Sequence, residues 1–152
     1  MKYFLTTIMI LFCIKVNGQS LSKTDSLEIV QAVNAVFETL ERPNYKDFKA
    51  ITLDSIKCAI CDDGQKGAQS IGRSQFFNKN LASVSNHDLW KRAIKRENQI
   101  IVVENKPWSD VSVFFQTYKL DELAKGHEGA QLGLWFKKDN GMFKLAGIET
   151  IP

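Results

Sequence analysis

From residue 24 to residue 42 the apolar positions recur at helical spacing. Leu27, Val30, Val33, Val36, Phe37 and Leu40 fall on one stripe. Thr24 suits the N-cap, Asp25 and Glu28 sit near the positive end of the helix dipole, and Pro43 stops the pattern. This predicts a long first helix over 24–42. A short second helix is expected over 45–51, capped by Asn44 and burying Phe48. Residues 53–61 read as extended or mixed. The run DDGQKGAQ, with its glycines and aspartates, breaks regular structure. SQFFNKNLASV then reads as a helix carrying Phe76, Phe77 and Leu81. Another helical piece is expected over 87–96, capped by Asn86, with Leu89, Trp90, Ala93 and Ile94 apolar.

After residue 98 the period changes. QIIVVEN is a β-branched run, and Pro107 marks a break. DVSVFFQTYKL is rich in strand formers. AQLGLWFKK alternates, DNG at 139–141 is a hairpin turn signal, and MFKLAGIE alternates back. Helices therefore fill the first two-thirds, and an antiparallel meander fills the last third. That order predicts an α+β domain with its helices packed on one face of a sheet.

The first residues change the picture of where this domain works. Lys2 gives a positive start, residues 4–14 form an apolar run, and Val16 and Gly18 give a small-residue exit. The run is too short to span a bilayer as a helix. This is the anatomy of a secretory signal peptide over 1–18, with cleavage between Gly18 and Gln19. Phe12 before Cys13 does not suit a lipoprotein signal. The expected product is one soluble domain over 19–152, exported to the periplasm or secreted, with no membrane attachment after cleavage. Removing Lys2 and Lys15 lowers the formal charge from +3 to +1, that is 18 basic against 17 acidic residues. Nucleic-acid binding needs a clustered basic patch, and KRAIKRE at 91–97 reads better as a solvated helix face.

The order of elements, the IGRSQFF helix start and the closing LWFKKDNGMFKLAGIE hairpin resemble the nuclear transport factor 2-like superfamily. That superfamily includes ketosteroid isomerases, scytalone dehydratase and polyketide cyclases; this chain would be an exported, bacterial-type member. The resemblance spans nearly all of residues 19–152. It implies a cone-shaped α+β roll, a curved antiparallel sheet wrapping the long helix around an apolar pocket. A cystatin-like fold is the alternative. Enzymes of the family place an acid, often with a histidine or tyrosine, inside the pocket.

The chain offers few groups for such chemistry. His87 and His127 fall in turn-rich surroundings, and Asp54, Glu104 and Asp110 sit at the ends of extended segments. A general base must reach a substrate proton inside a pocket, so no catalytic residue is assigned. No nucleophile elbow, zinc-protease motif or phosphate loop occurs, and neither cofactor nor metal is expected. Ser112, Gln116 and Tyr118 alternate on the face shared with Phe114. With Phe37, Phe77 and Trp90 they make a candidate ligand pocket.

The stretch CAICDDG holds Cys58 and Cys61. A redox couple needs a helix running through the second cysteine, yet Asp-Asp-Gly follows it, and zinc needs about four ligands. In an exported protein the simplest reading is a disulfide, with free thiols as the alternative. A fully extended chain would hold the two Cα atoms about 10 Å apart, so a bridge requires a turn at Ala59-Ile60.

In AQLGLWFKK, Leu132, Leu134 and Phe136 share the better core face. Trp135 is left on the other face beside Gly133, as a candidate interface residue. The functional expectation is a non-enzymatic domain that binds a small apolar ligand or a protein partner through the pocket or the sheet face, with a homodimer as one form. An isomerase- or dehydratase-like enzyme using the same pocket is one alternative. A dimerising structural module is the other.

Overall fold

The computed structural model describes residues 21–61, 68–95, 99–118 and 129–151. The expected signal segment, its cleavage point at Gly18 and Gln19, and His127 lie outside the described residues.

The first helix, α1, spans Lys23–Glu41. Its N-cap is Ser22 rather than Thr24. The Ser22 hydroxyl accepts the Asp25 N–H at 3.0 Å, which satisfies one of the free donors of the first turn. The buried stripe runs through Ile29, Val33, Val36 and Leu40, while Leu27 is 59% exposed. Two overlapping apolar spacings coexist in this helix, and packing against the sheet selects the one through Ile29. Helix α2, Tyr45–Ile51, has Asn44 as its cap and buries Phe48, as the pattern indicates.

Strand β1 is Thr52–Cys58 and β2 is Gln69–Gly72. The helical stretch that follows is broken into pieces. Helix α3 (Arg73–Gln75) runs through a π turn at Phe76–Asn80 into α4 (Leu81–Asn86), and α5 covers Asp88–Ala93. Asn86 ends α4 instead of capping α5. That cap is His87, whose Nδ1 accepts the Leu89 N–H at 3.3 Å. Four long strands follow: β3 (Gln99–Lys106), β4 (Ser109–Gln116), β5 (Gln131–Asp139) and β6 (Met142–Ile151).

The six strands form one sheet in the order β2-β1-β6-β5-β4-β3. All neighbours run antiparallel except β1 and β6, which are parallel. The Asp139-Asn140-Gly141 signal is realised as a two-residue turn with φ of 50° at Asn140 and 81° at Gly141. Both residues stand in the left-handed region, the backbone that matches the strand twist. Cys58 and Cys61 form a disulfide with Cα atoms 5.5 Å apart. The chain turns between them, and the Ala59 N–H bonds to the Ile148 carbonyl at 2.9 Å.

All helices pack on one face of the sheet. Ile29, Val33, Val36 and Leu40 join Ile56, Val113, Phe115, Leu132, Leu134, Phe136, Leu145 and Ile148 in a single core. Among the described residues no helix is long and apolar enough to cross a membrane.

Candidate functional site

The residues expected to line one pocket are divided by the sheet. Phe37, Phe77 and Trp90 lie on the helix side. Phe37 meets Trp90 edge to face at 5.2 Å and Phe115 at 5.3 Å, so these rings fill the interior against each other. Phe77 lies apart from that pair, against Tyr45 and Phe48 at 5.1 and 5.3 Å. Ser112, Phe114 and Gln116 alternate with Val111, Val113 and Phe115. Since the latter join the helix-side core, the former stand on the opposite face, called here the outer face. Tyr118 follows β4, and its ring lies against Gly129. The grooves described include one of about 590 Å³ between α1 and α2, bordered by Glu38, Arg42 and Asp47. None of those described is lined by the expected pocket residues.

The outer face gathers the chemistry instead. Trp135 stands there, as its alternation indicates, but only 8% of it is exposed. Its ring lies on Gly147, the residue opposite on β6, and its indole N–H donates to Glu149 Oε1 at 2.5 Å. Gly133 is covered too. A Cβ there would fall 2.6 Å from Glu149 Cγ and 2.8 Å from the Phe114 ring. The two glycines are thus a floor on which Trp135, Glu149 and Phe114 lie flat. Trp108, at the β3–β4 turn, holds its ring 4.1 Å from Lys57 Nζ. Lys57 is on β1, so this contact crosses the two strands that carry Gly147 and Trp135.

Glu149 was not singled out by sequence reasoning, and a bulge explains why. From the turn, β5 and β6 pair regularly down to Phe136 opposite Leu145. The next pair is Trp135 opposite Gly147, so Ala146 is an extra residue. A one-residue slip exchanges the two faces. It puts Ile148 into the core and Glu149 onto the outer face beside Trp135. A regular hairpin would do the reverse. The one sequence signal is indirect: a regular register would bury Glu149 opposite Leu132 and expose Ile148.

Burial pushes the Glu149 carboxyl above its usual range. The indole N–H opposes that, and the Glu104 carboxylate adds to it. Glu104, on β3, behaves differently. Burial works against its charge, but Lys106, Ser112 and Ser109 outweigh burial and hold it below the usual range. Lys106 Nζ is 2.6 Å from Glu104 Oε1. Ser112 Oγ and Glu104 Oε2 are both buried, and neither has a hydrogen bond of good geometry among the described residues. Among the described residues no group of three or more His, Cys, Asp or Glu is arranged to hold a metal ion.

Exposed apolar side chains border this cluster on the same face. Ile100 and Val102 on β3 are 48% and 39% exposed, and Ile151 on β6 is 40% exposed. The signal for them was the alternation in QIIVVEN, which puts Ile100 and Val102 on one face.

No protein-family model and no curated protein matches the chain. Solved structures do. One is a protein of unknown function with a cystatin-like fold from Nostoc punctiforme, at 15% identity and a TM-score of 0.50, covering 88% of this chain and 96% of that one. A designed nuclear transport factor 2-like protein aligns at 14% identity and 0.48, covering 86% of this chain and all of the other. A protein of unknown function from Silicibacter pomeroyi, described as NTF-2 like, aligns at 9% identity and 0.46, covering 86% and 98%. At these identities the likeness concerns the fold alone, and the match at a TM-score of 0.50 is to a cystatin-like α+β fold, the alternative expected from the sequence.

Proposed function

We propose that this protein is an exported, non-enzymatic interaction module, and that its working surface is the outer face of the sheet, paired with a second copy of the chain. The observation that carries this reading is the exposed strip of Ile100, Val102 and Ile151 around Phe114 and Glu149, on the face that no helix covers among the described residues. Apolar side chains gathered on one face, next to a tryptophan with a polar partner, suit a contact surface. The charges favour self-pairing. Lys57 and Lys137 stand on this face with Asp110 and Glu149, and Lys106 reaches Glu104, so neither sign dominates. A two-fold interface lays one patch against itself and must be self-complementary. The Cys58–Cys61 bridge and the expected signal segment support export.

Small-ligand binding in the interior is less favoured, because Phe37, Trp90 and Phe115 pack against each other there. An enzyme is the second reading. One observation favours it: burial pushes the Glu149 carboxyl above the usual carboxylate range, the direction a general acid needs. Its place on the outer face, over Gly133 and beside Trp135, counts against the family's interior site.

The test is Val102→Glu. Val102 is partly exposed, so the substitution leaves the core intact. Light scattering over a concentration series should show wild type associating and the variant monomeric, with the variant's Tm equal to that of wild type at dilutions where both are monomers. A wild type that stays monomeric throughout overturns the reading.

A further inference from the structure

Pairing through the outer face has a chemical consequence, because Glu149 lies within the strip that would be covered. Its side chain crosses Gly133 beside Phe114, and Oε1 is held by the Trp135 indole. A second copy laid on Ile100, Val102 and Ile151 takes this carboxyl out of water. Burial penalises the charged form of an acid unless a cation accompanies it.

Among the described residues, the cations on this face already have partners. From β3 come Glu104 and Lys106; Lys106 is bound to Glu104 at 2.6 Å, and its pull on the Glu149 carboxylate is smaller than the effect of burial. From β6 comes Lys144, bound to Asp139 at 2.6 Å. From β1 comes Lys57, held over the Trp108 ring. On β5, Lys137 faces Asp110 of β4 at 3.5 Å. The remaining outer-face neighbours, Trp135 and Gly133 on β5 with Ser112 and Phe114 on β4, carry no charge. Glu104, kept ionised by Lys106, repels a second carboxylate.

Resting on the pairing proposed above, we propose that association through this face is coupled to proton uptake by Glu149. Each protomer takes one proton from solvent onto its Glu149 carboxylate, giving the neutral acid. The copies therefore associate as pH falls and separate as it rises. The sign follows from linkage: the associated state binds more protons than the separate chains, so lower pH favours it. Each unit by which association raises the Glu149 pKa tightens the dimer about tenfold per protomer.

The experiment is sedimentation equilibrium of the exported protein across the range from pH about 7.5 to about 5, with Glu149→Gln alongside. The amide keeps an oxygen for the Trp135 indole and cannot ionise. Wild-type Kd should fall by at least about tenfold toward acid, while the variant should associate at both ends with a change below about twofold. Glu104→Gln removes the repulsion that helps to keep the Glu149 proton on, and should move the onset of separation to lower pH than in wild type. A wild-type Kd that does not change with pH, or a Glu149→Gln variant that keeps the full change, overturns the proton coupling and leaves the pairing standing. Monomers at every pH, in wild type and Glu149→Gln alike, overturn the pairing itself and the coupling with it.

Discussion

The two faces of the one sheet are built from the same strands and follow opposite rules. On the helix side, large apolar side chains interlock: Leu132, Leu134, Phe136, Val113 and Phe115 join residues of α1 and α5 in one core. On the outer face no helix covers the strands among the described residues. There two glycines lower the floor, Trp135 and Glu149 lie across it, and a carboxyl is tied to an indole at 2.5 Å. The helix side is closed by volume. The outer face is closed by a few flat side chains and polar contacts, and it leaves Ile100, Val102 and Ile151 in solvent. A face closed in that way contributes less to stability and is freer to meet a partner.

The largest effect that could break this contrast is on the helix side. Trp90→Ala removes a fully buried ring that packs on Phe37, and should destabilise by about 3–5 kcal/mol in denaturant unfolding. Phe37→Ala should cost less, because Phe37 is only partly buried. A Trp90 variant that loses under about 1 kcal/mol would mean the interior is loosely filled, as a ligand cavity would be.

Gly147→Ala probes the outer floor. The added methyl would meet the Trp135 ring and stand 2.9 Å from the Lys57 carbonyl oxygen. It should destabilise by about 1–3 kcal/mol by overpacking, and displace Trp135 into solvent with a red-shifted emission. An unchanged spectrum and stability would show that the ring does not rest on the glycine.

Removing the bridge is a smaller change. Cys58→Ser with Cys61→Ser opens a very short loop, so the loss should be at most about 2 kcal/mol in thermal unfolding. A larger loss would mean that the turn at Ala59-Ile60 and its bond to Ile148 depend on the bridge.

The smallest effect is the pH dependence of monomer stability. The folded pKa of Glu149 lies above the ordinary value, so its contribution is fully present below the unfolded pKa. It is lost as pH rises through the folded pKa. Stability of wild type relative to Glu149→Gln should fall over that rise, measured at concentrations where the chain is monomeric. A relative stability that increases with pH would mean the carboxylate is favoured, and the outer face would be a cation site instead.

Much of the fold could be read from local pattern because the physics there is local. Asn44 before a short apolar turn fixed α2, Asp-Asn-Gly fixed the last hairpin, and alternation in AQLGLWFKK separated Leu134 from Trp135. The cysteine spacing allowed a bridge once the chain turned. Caps were misplaced by one or two residues, Ser22 for Thr24 and His87 for Asn86, because adjacent polar residues compete for the same free N–H groups. The four-residue strand β2 was read as a lead-in to a helix, since so short a run has no period of its own. The site was hardly legible. Ser112, Phe114 and Gln116 were rightly kept on one face, but the sequence could not say that the helices cover the other one.

What the sequence determined by itself is therefore the longer elements, their alternation and the turn between β5 and β6, all of which depend on neighbours a few residues away. Only the tertiary structure decided which face of each strand meets the helices, and that Ala146 bulges out of the ladder. The bulge brings Ile148 into the core, where its burial opposes the cost of the interrupted ladder. That burial depends on residues as distant as Ile29 and Ile56, which join Ile148 in the core. With that one-residue shift Glu149 comes to lie against Trp135, where the local pattern of either strand alone would not have put it.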